Sequence, residues 1–331
     1  MTAAAAPRNI VAAGAGRMGR GIAQVFAYAG HGVTLIDLKE RSAKARAALF
    51  AEALDEIKAN LGLLAGLGLF APRVCHTILA RIAVAGGDEA AAALAEADII
   101  FEGVPETLSA KGEALALIGA HARADAVIAS TTSTILVDAL AALVDHPERF
   151  LNAHWLNPAY LIPLVEISAG SATDGAVTDR FCAFLESVGK VPVRCTASPG
   201  YIVPRIQAIA MNEAARLVEE GVASAQDVDR AVRVGFGIRF AAMGMLEFID
   251  WGGGDTLYYA SNYLKKELAA DRYTAPDIVV RNMEDGATGL TAGRGFYDFA
   301  AMDTAAWRKD KLARMVALIK DMDLFRPPVA D

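Results

Sequence analysis

Cysteine and histidine are scarce in this chain of 331 residues, which holds three of the former and five of the latter. Cys75, Cys182 and Cys195 are scattered without a CxxC pair, so neither a disulfide framework nor a metal site is expected, and buried reduced thiols are. Metal catalysis has no ligand cluster to support it. Dense basic runs are also missing. With a net charge of −7, neither nucleic acid nor an anionic membrane surface is expected as the main partner. Long apolar runs are absent too. The most uncharged stretch, Leu61 to Pro72, is only twelve residues with three glycines, too short to span a bilayer. Nor does the N-terminus read as a basic region followed by an apolar block and a cleavage site, so a cytoplasmic location is expected.

What is present is an apolar fraction of 54%, enough for sizeable cores and, at this length, two domains. The most informative segment runs from Asn9 to Asp37, NIVAAGAGRMGRGIAQVFAYAGHGVTLID. It reads as a buried strand (Ile10 to Ala13), a glycine turn, a helix, and a second strand (Val33 to Ile36) closing on an acid. Gly14 permits the tight turn, Gly16 removes a side chain that would block a pyrophosphate, and Gly19 lets the helix pack close. Arg17 and Met18, inside the same motif, are expected to line the cofactor. Phosphates would sit at the helix N-terminus, where unpaired N–H groups and the macrodipole favour negative charge. Asp37 can accept from ribose hydroxyls and repels a 2′-phosphate, so NAD is expected rather than NADP.

A helical hairpin interrupts the alternation: an alanine-rich helix over Arg41 to Asn60, an apolar glycine hinge over Leu61 to Pro72, and a second helix near Pro72 to Arg81. Strand-like runs then recur at Ile99 to Glu102, Val127 to Ser130, Arg149 to His154 and Leu164 to Ser168, separated by helices such as Leu108 to Ala122. Such alternation makes an α/β, doubly wound, mostly parallel Rossmann-type sheet. After a last strand, Val191 to Cys195, only helices are expected: Ile202 to Glu220, Ala225 to Gly235, Met245 to Ala269 and Ala305 to Asp321. The domains are therefore residues 1–197, binding the nucleotide, and 198–331, which is all-α.

Oxidising an alcohol needs a base for the hydroxyl proton, and histidine titrates near working pH. His31, His76, His121 and His146 fall in turns, helix ends or the hairpin and read as solvated. His154 ends a strand at the C-terminal edge of the sheet, where open α/β folds bind ligands. A satisfied core histidine is the competing reading. Glu166 shifts the balance, because Leu164-Val165-Glu166-Ile167 is an apolar strand broken by a carboxylate, and a buried carboxylate needs a partner. His154 is the natural one; a solvated edge-strand glutamate is the alternative.

At this point the chain resembles the 3-hydroxyacyl-CoA dehydrogenase family over nearly its whole length. The resemblance lies in GAGRMGRGIA at Gly14 to Ala23, FEGVPE at Phe101 to Glu106, AHWLNPAYLIPLVEIS at Ala153 to Ser168, SPGYIVPRIQAIAMNEAARLVEEG at Ser198 to Gly221, and GRGFYDF at Gly293 to Phe299. It implies a Rossmann-type domain, a helical domain forming a homodimer interface, and hydride transfer between NAD and C3 of a 3-hydroxy substrate. His154 is then the base, Glu166 its orienting partner, and Ser133 the group hydrogen-bonding the substrate oxygen. Glu106 and Lys111 fall beside the nicotinamide ribose, and Asn157 on the Asn-Pro turn next to the base. Read without the family, Ser133 is equally a helix N-cap, and Lys111 a solvated helix residue.

Three departures from the family pattern stand out. PGFIVNR becomes PGYIVPR, with Pro204 replacing an asparagine, and SNTSS becomes Ser130 to Thr134, with Thr131 replacing a cofactor-facing amide. Asp55 to Pro72 has Lys58 as its only basic residue, where acyl-CoA members place cations near the CoA phosphates. Gly235 to Gly244 is longer than the usual PMGPFEL and resembles the CoA-independent gulonate, carnitine and pyridine-carboxylate branch. Arg239 there would clamp a free carboxylate; a surface ion pair is the alternative. The leading expectation is a 3-hydroxybutyryl-CoA-like substrate. The runner-up is the same chemistry on a small CoA-free hydroxy acid or related alcohol or aldehyde. An NAD-binding protein without turnover would leave Ser133, His154 and Glu166 unexplained.

Overall fold

The computed structural model describes residues 8–328. The reading of the extreme N-terminus, residues 1–7, lies outside them. The chain divides into two compact units, the first ending at Ile209 and the second beginning at Ala210.

The first unit carries an eight-stranded sheet in the order β3-β2-β1-β4-β5-β6-β7-β8, parallel throughout except for β6 against β7. The strands are β1 (Asn9–Ala13), β2 (Gly32–Asp37), β3 (Ile82–Gly86), β4 (Ile99–Glu102), β5 (Val127–Ser130), β6 (Phe150–Trp155), β7 (Leu164–Ala169) and β8 (Val191–Cys195). Strand period splits β1 cleanly. Ile10 and Ala12 join one core with Phe26, Phe101 and Trp155, whereas Val11 and Ala13 join the other with Leu94, Leu115 and Phe150. A sheet covered on both faces buries both sides of its strands, so they read as apolar runs rather than alternating ones. Helices α1 (Arg17–Tyr28), α2 (Ala43–Gly66), α3 (Val74–Leu79), α4 (Asp88–Glu96), α5 (Leu108–His121), α6 (Val137–Ala141) and α7 (Gly175–Ser187) connect the strands.

Three expectations need correction here. Only the second half of the apolar glycine stretch is the hairpin's hinge: α2 runs through Gly62 to Gly66, and residues 67–73 connect it to α3. Phe50, Ala53, Ile57, Leu61, Leu64 and Ala65 form one buried stripe at helical spacing. Burying a leucine is worth about 1.5–3 kcal/mol, more than the ~1 kcal/mol an exposed glycine costs a helix. Strand β3, which forms one edge of the sheet, and helix α4 have no counterpart among the elements expected from the sequence. His31 is not solvated; it is buried, its Nδ1 accepting from Arg8 N at 3.1 Å and its ring set edge-on to Phe184. Burial, with the nearby Arg8 charge, lowers its pKa. His76, His121 and His146 are exposed. Of the thiols only Cys182 is buried; Cys75 and Cys195 are half-buried.

Helix α8 (Val203–Glu219) leads into the second unit, which is built from α9 (Ala225–Ala231), a π-helical turn (Val232–Gly237), α10 (Ile238–Ala242), α11 (Met245–Gly252), α12 (Gly254–Glu267), α13 (Asp277–Glu284) and α14 (Thr304–Asp321). The continuous helix expected from Met245 to Ala269 is broken at Gly253, whose φ of 97° no helix accommodates. The GRGFYDF motif forms a loop around the buried Asp250, which accepts from Phe296 N at 3.0 Å and Tyr297 N at 2.8 Å. Its two glycines serve different ends: a Cβ on Gly295 would meet Asp250 Oδ1 at 2.1 Å, whereas Gly293 has open space and takes a left-handed φ of 79°.

Candidate active site

The glycine turn after β1 behaves as its spacing demands. Gly14 has φ 121°, and a Cβ there would stand 2.6 Å from Gly103 O. A Cβ on Gly19 would meet Gly14 O at 1.9 Å, so helix and turn are in backbone contact. At Gly16 a Cβ would meet nothing within 4 Å, because this residue opens onto a cavity of about 380 Å³. Gly16 is also the N-cap of α1 and supplies no side-chain cap, so the first helical N–H groups remain available to an anion. Asp37 lines the same cavity at the end of β2, buried, with Oδ2 accepting from Arg41 Nε at 2.9 Å. These residues fit a dinucleotide: an anion seat at a bare helix end, and a carboxylate at the tip of the next strand. Met18 is half-buried against the core. Arg17 is exposed and lines a separate cavity of about 310 Å³ together with Asn60, Asn157 and Tyr160.

At the same edge of the sheet, the antiparallel β6–β7 register places His154 directly opposite Glu166. His154 Nδ1 lies 2.8 Å from Glu166 Oε2, with the glutamate wholly buried and the histidine nearly so. The other oxygen, Oε1, accepts from the backbone N–H groups of Ile202 and Val203, each at 2.8 Å, at the start of α8. Both oxygens of the buried carboxylate are thus satisfied, and β7 is an inner strand rather than the solvated edge. A carboxylate on Nδ1 fixes the proton there and leaves Nε2 as the acceptor. Pro204 falls in the first turn of α8, where a missing N–H costs nothing.

A second buried carboxylate, Glu102, ends the apolar strand β4. Its Oε1 accepts from Lys111 Nζ at 2.9 Å and Val104 N at 2.8 Å; its Oε2 accepts from Ser130 Oγ at 2.5 Å. Lys111 is therefore fully buried, not a solvated helix residue. Lys111 Nζ also lies 3.5 Å from Glu106 Oε2. Glu106 Oε1 gathers the loop after β5, accepting from Ser133 N at 3.0 Å, from Thr134 N and Oγ1 at 2.9 Å each, and from the Thr132 hydroxyl. Burial alone would push the Glu106 carboxyl up, but those hydrogen bonds and the Lys111 charge outweigh it and hold its pKa low. Ser133 is exposed and caps no helix, since Leu136 is the N-cap of α6. Thr131 is half-buried in the same loop, its N–H bonded to Glu102 O at 2.8 Å.

Tyr201 carried no signal in the sequence beyond replacing a phenylalanine, yet its ring stacks on that of His154, with centroids 4.7 Å apart and planes 10° apart. Arg239 in the second unit is exposed; its Nε donates to Gly235 O at 2.8 Å and its guanidinium lies 5.2 Å over the Phe248 ring. Among the described residues it meets no carboxylate, so the surface ion pair is not formed. No group of His, Cys, Asp and Glu residues among the described ones is arranged to hold a metal.

A proton acceptor fixed beside a dinucleotide seat is what hydride removal from an alcohol requires, and it puts this chain among the Rossmann-type oxidoreductases. Its family is 3-hydroxyacyl-CoA dehydrogenase: residues 9–198 match the model described as the NAD binding domain of that enzyme and residues 200–299 its C-terminal domain, and the chain belongs to that family. NAD is its cofactor. It is 33% identical over 321 residues to 3-hydroxyadipyl-CoA dehydrogenase of Escherichia coli, covering 97% of this chain but 63% of that longer protein. It is 33% identical over 296 residues to 3-hydroxybutyryl-CoA dehydrogenase of Bradyrhizobium diazoefficiens, covering 89% and 97%. A Mesorhizobium japonicum 5-formyl-3-hydroxy-2-methylpyridine 4-carboxylate 5-dehydrogenase is 29% identical over 94% of this chain and 97% of its own. Among solved structures, the 3-hydroxyacyl-CoA dehydrogenase of Archaeoglobus fulgidus superposes with a TM-score of 0.74 at 30% identity, covering 96% of this chain and all of that one.

Proposed function

We propose that the protein interconverts a 3-hydroxyacyl-CoA thioester, of the 3-hydroxybutyryl-CoA kind, and its 3-keto product. The observation that carries this is the His154–Glu166 pair, 2.8 Å apart at the edge of the sheet that binds the dinucleotide. Bound NAD supplies the hydride acceptor. His154 Nε2 takes the hydroxyl proton, Glu166 stabilises the imidazolium so formed, and Ser133 orients the substrate oxygen. Gly14, Gly16, Arg17, Met18 and Gly19 form the cofactor turn; Asp37 takes the adenosine ribose, with Glu106, Lys111 and Thr131 on the nicotinamide side and Asn157 beside the substrate. The domains are residues 1–197 and 198–331. The second forms a homodimer: α8 and α14 bury none of their residues, and Met211, Tyr259 and Tyr263 stand exposed. No helix of the described residues is long and apolar enough to cross a membrane, in keeping with a cytoplasmic enzyme.

A second reading keeps the chemistry but replaces the thioester by a small free hydroxy acid held by Arg239. It is favoured by Lys58 being the only basic residue between Asp55 and Pro72, and by a guanidinium that meets no carboxylate among the described residues. NADH formation with 3-hydroxybutyryl-CoA and with a panel of free hydroxy acids separates the two, repeated on Arg239→Met. With a free acid the variant loses about 1.5–3 kcal/mol, roughly ten- to a hundredfold in kcat/KM. With a thioester it stays within about twofold, while Tm reports any loss of the Phe248 contact. A selective loss on free acids overturns the CoA reading.

A further inference from the structure

The tetrapeptide Gly200 to Val203 touches both members of the dyad at once. Its last two N–H groups hold Glu166 Oε1, and the Tyr201 ring lies flat on His154. Tyr201 is buried and has φ 47°, a left-handed backbone that a bulky residue adopts only when its surroundings over-determine it. Its hydroxyl donates to Thr132 O at 2.9 Å and accepts from Asn152 Nδ2 at 3.2 Å. Asn152 Nδ2 in turn donates to Ile135 O at 3.0 Å. The phenol therefore ties the backbone on both sides of Ser133 to the ring stacked on the base. Phenylalanine in its place would keep the stack and lose the tie.

We propose that Tyr201 is a positioning residue, whose hydroxyl sets the Ser133 loop at a fixed separation from His154. The idea rests on His154 and Ser133 acting together on the substrate oxygen. Neither group is bonded directly to the other, so their relative placement depends on what lies between them. Glu106 anchors the loop from the cofactor side and Tyr201 from the side of the base. Burial pushes the phenol's pKa up, so it remains a neutral donor to Thr132 O throughout the working range. It moves no proton itself. The site lacks the two family amides replaced by Thr131 and Pro204, and the added hydroxyl supplies a constraint in their neighbourhood.

The test is a cycle of Tyr201→Phe, Ser133→Ala and the double variant, with kcat, KM for each substrate and Tm measured for all. Tyr201→Phe is expected to lower kcat on the order of tenfold with KM for NAD unchanged, since a small misplacement of one reacting group acts on the chemical step. In the Ser133→Ala background the same change is expected to cost less than about twofold, because the group it positions is already gone. A Tyr201→Phe enzyme with wild-type kcat, or full additivity in the double variant, overturns the proposal. His154→Gln is the separate control. If it retains near wild-type turnover, the base assignment fails instead, whatever Tyr201→Phe does.

Discussion

Glu166→Gln puts the dyad to a discriminating test, because the isostere cannot satisfy both of its neighbours. In the wild type one oxygen faces the His154 Nδ1–H and the other takes two backbone N–H groups. Glutamine has one oxygen. If that oxygen turns to His154, its NH2 confronts the amides of Ile202 and Val203, and two hydrogen bonds to a charged acceptor are lost at about 1.5–3 kcal/mol each. If it stays on the amides, only the histidine contact changes: the NH2 donates to Nδ1 and drives the ring's proton to Nε2. The second arrangement sacrifices less and is the one expected. Nε2 then has no lone pair for the substrate hydroxyl, and kcat falls on the order of 10³–10⁴-fold, the scale of losing a positioned base. The fold survives with a lower Tm, as a charged acceptor at the start of α8 has become neutral. The assay is steady-state NADH formation, with NAD affinity from binding titration and Tm by calorimetry on the same preparation. A folded variant within about threefold of wild-type kcat, with unchanged NAD affinity, would refute the argument.

Two further outcomes follow from the geometry. Asp37→Ala is expected to narrow the NAD over NADP preference in kcat/KM by about ten- to a hundredfold, the value of lost hydrogen bonds to a charged acceptor; it also frees Arg41, now 2.9 Å from the carboxylate. A wild type that prefers NADP would sink the assignment of Asp37. Lys190 has its Nζ buried against Ala159 O at 2.6 Å and Ile162 O at 2.9 Å, and burial lowers its pKa from 10.5 to about 8. Between those values the unfolded chain holds a proton that the folded one has released, so this group adds stability as pH rises from about 8 toward 10.5. Chemical denaturation across that window is expected to show a shallower rise for Lys190→Met than for the wild type, and equal slopes would contradict it.

The Asn9 to Asp37 unit was legible because its demands are local. A positive φ at Gly14, a backbone contact at Gly19 and an apolar strand on either side are written into adjacent residues. Glu166 was legible for a different reason: a carboxylate inside an apolar strand has to be paired, and few partners were on offer. The same rule applied to Glu102 would have found its buried Lys111, had the helical lysine not read equally well as solvated.

What the sequence alone determined, then, is the sheet's alternation, the glycine seat and the need of Glu166 for a partner, since each follows from periodicity or from a residue type that its neighbours cannot satisfy. The tertiary structure decided the rest. It decided that β6 and β7 pair with His154 opposite Glu166, and that the second carboxylate oxygen is met by amides 36 and 37 residues further on. It placed Tyr201 on His154 and turned Arg17 into a different cavity from Gly14 and Gly16. It carried α2 through two glycines and broke the expected Met245 to Ala269 helix at a third. Hydrogen-bond partners and buried neighbours are set by proximity in space, and separation along the chain holds no measure of that until the sheet has brought its strands together.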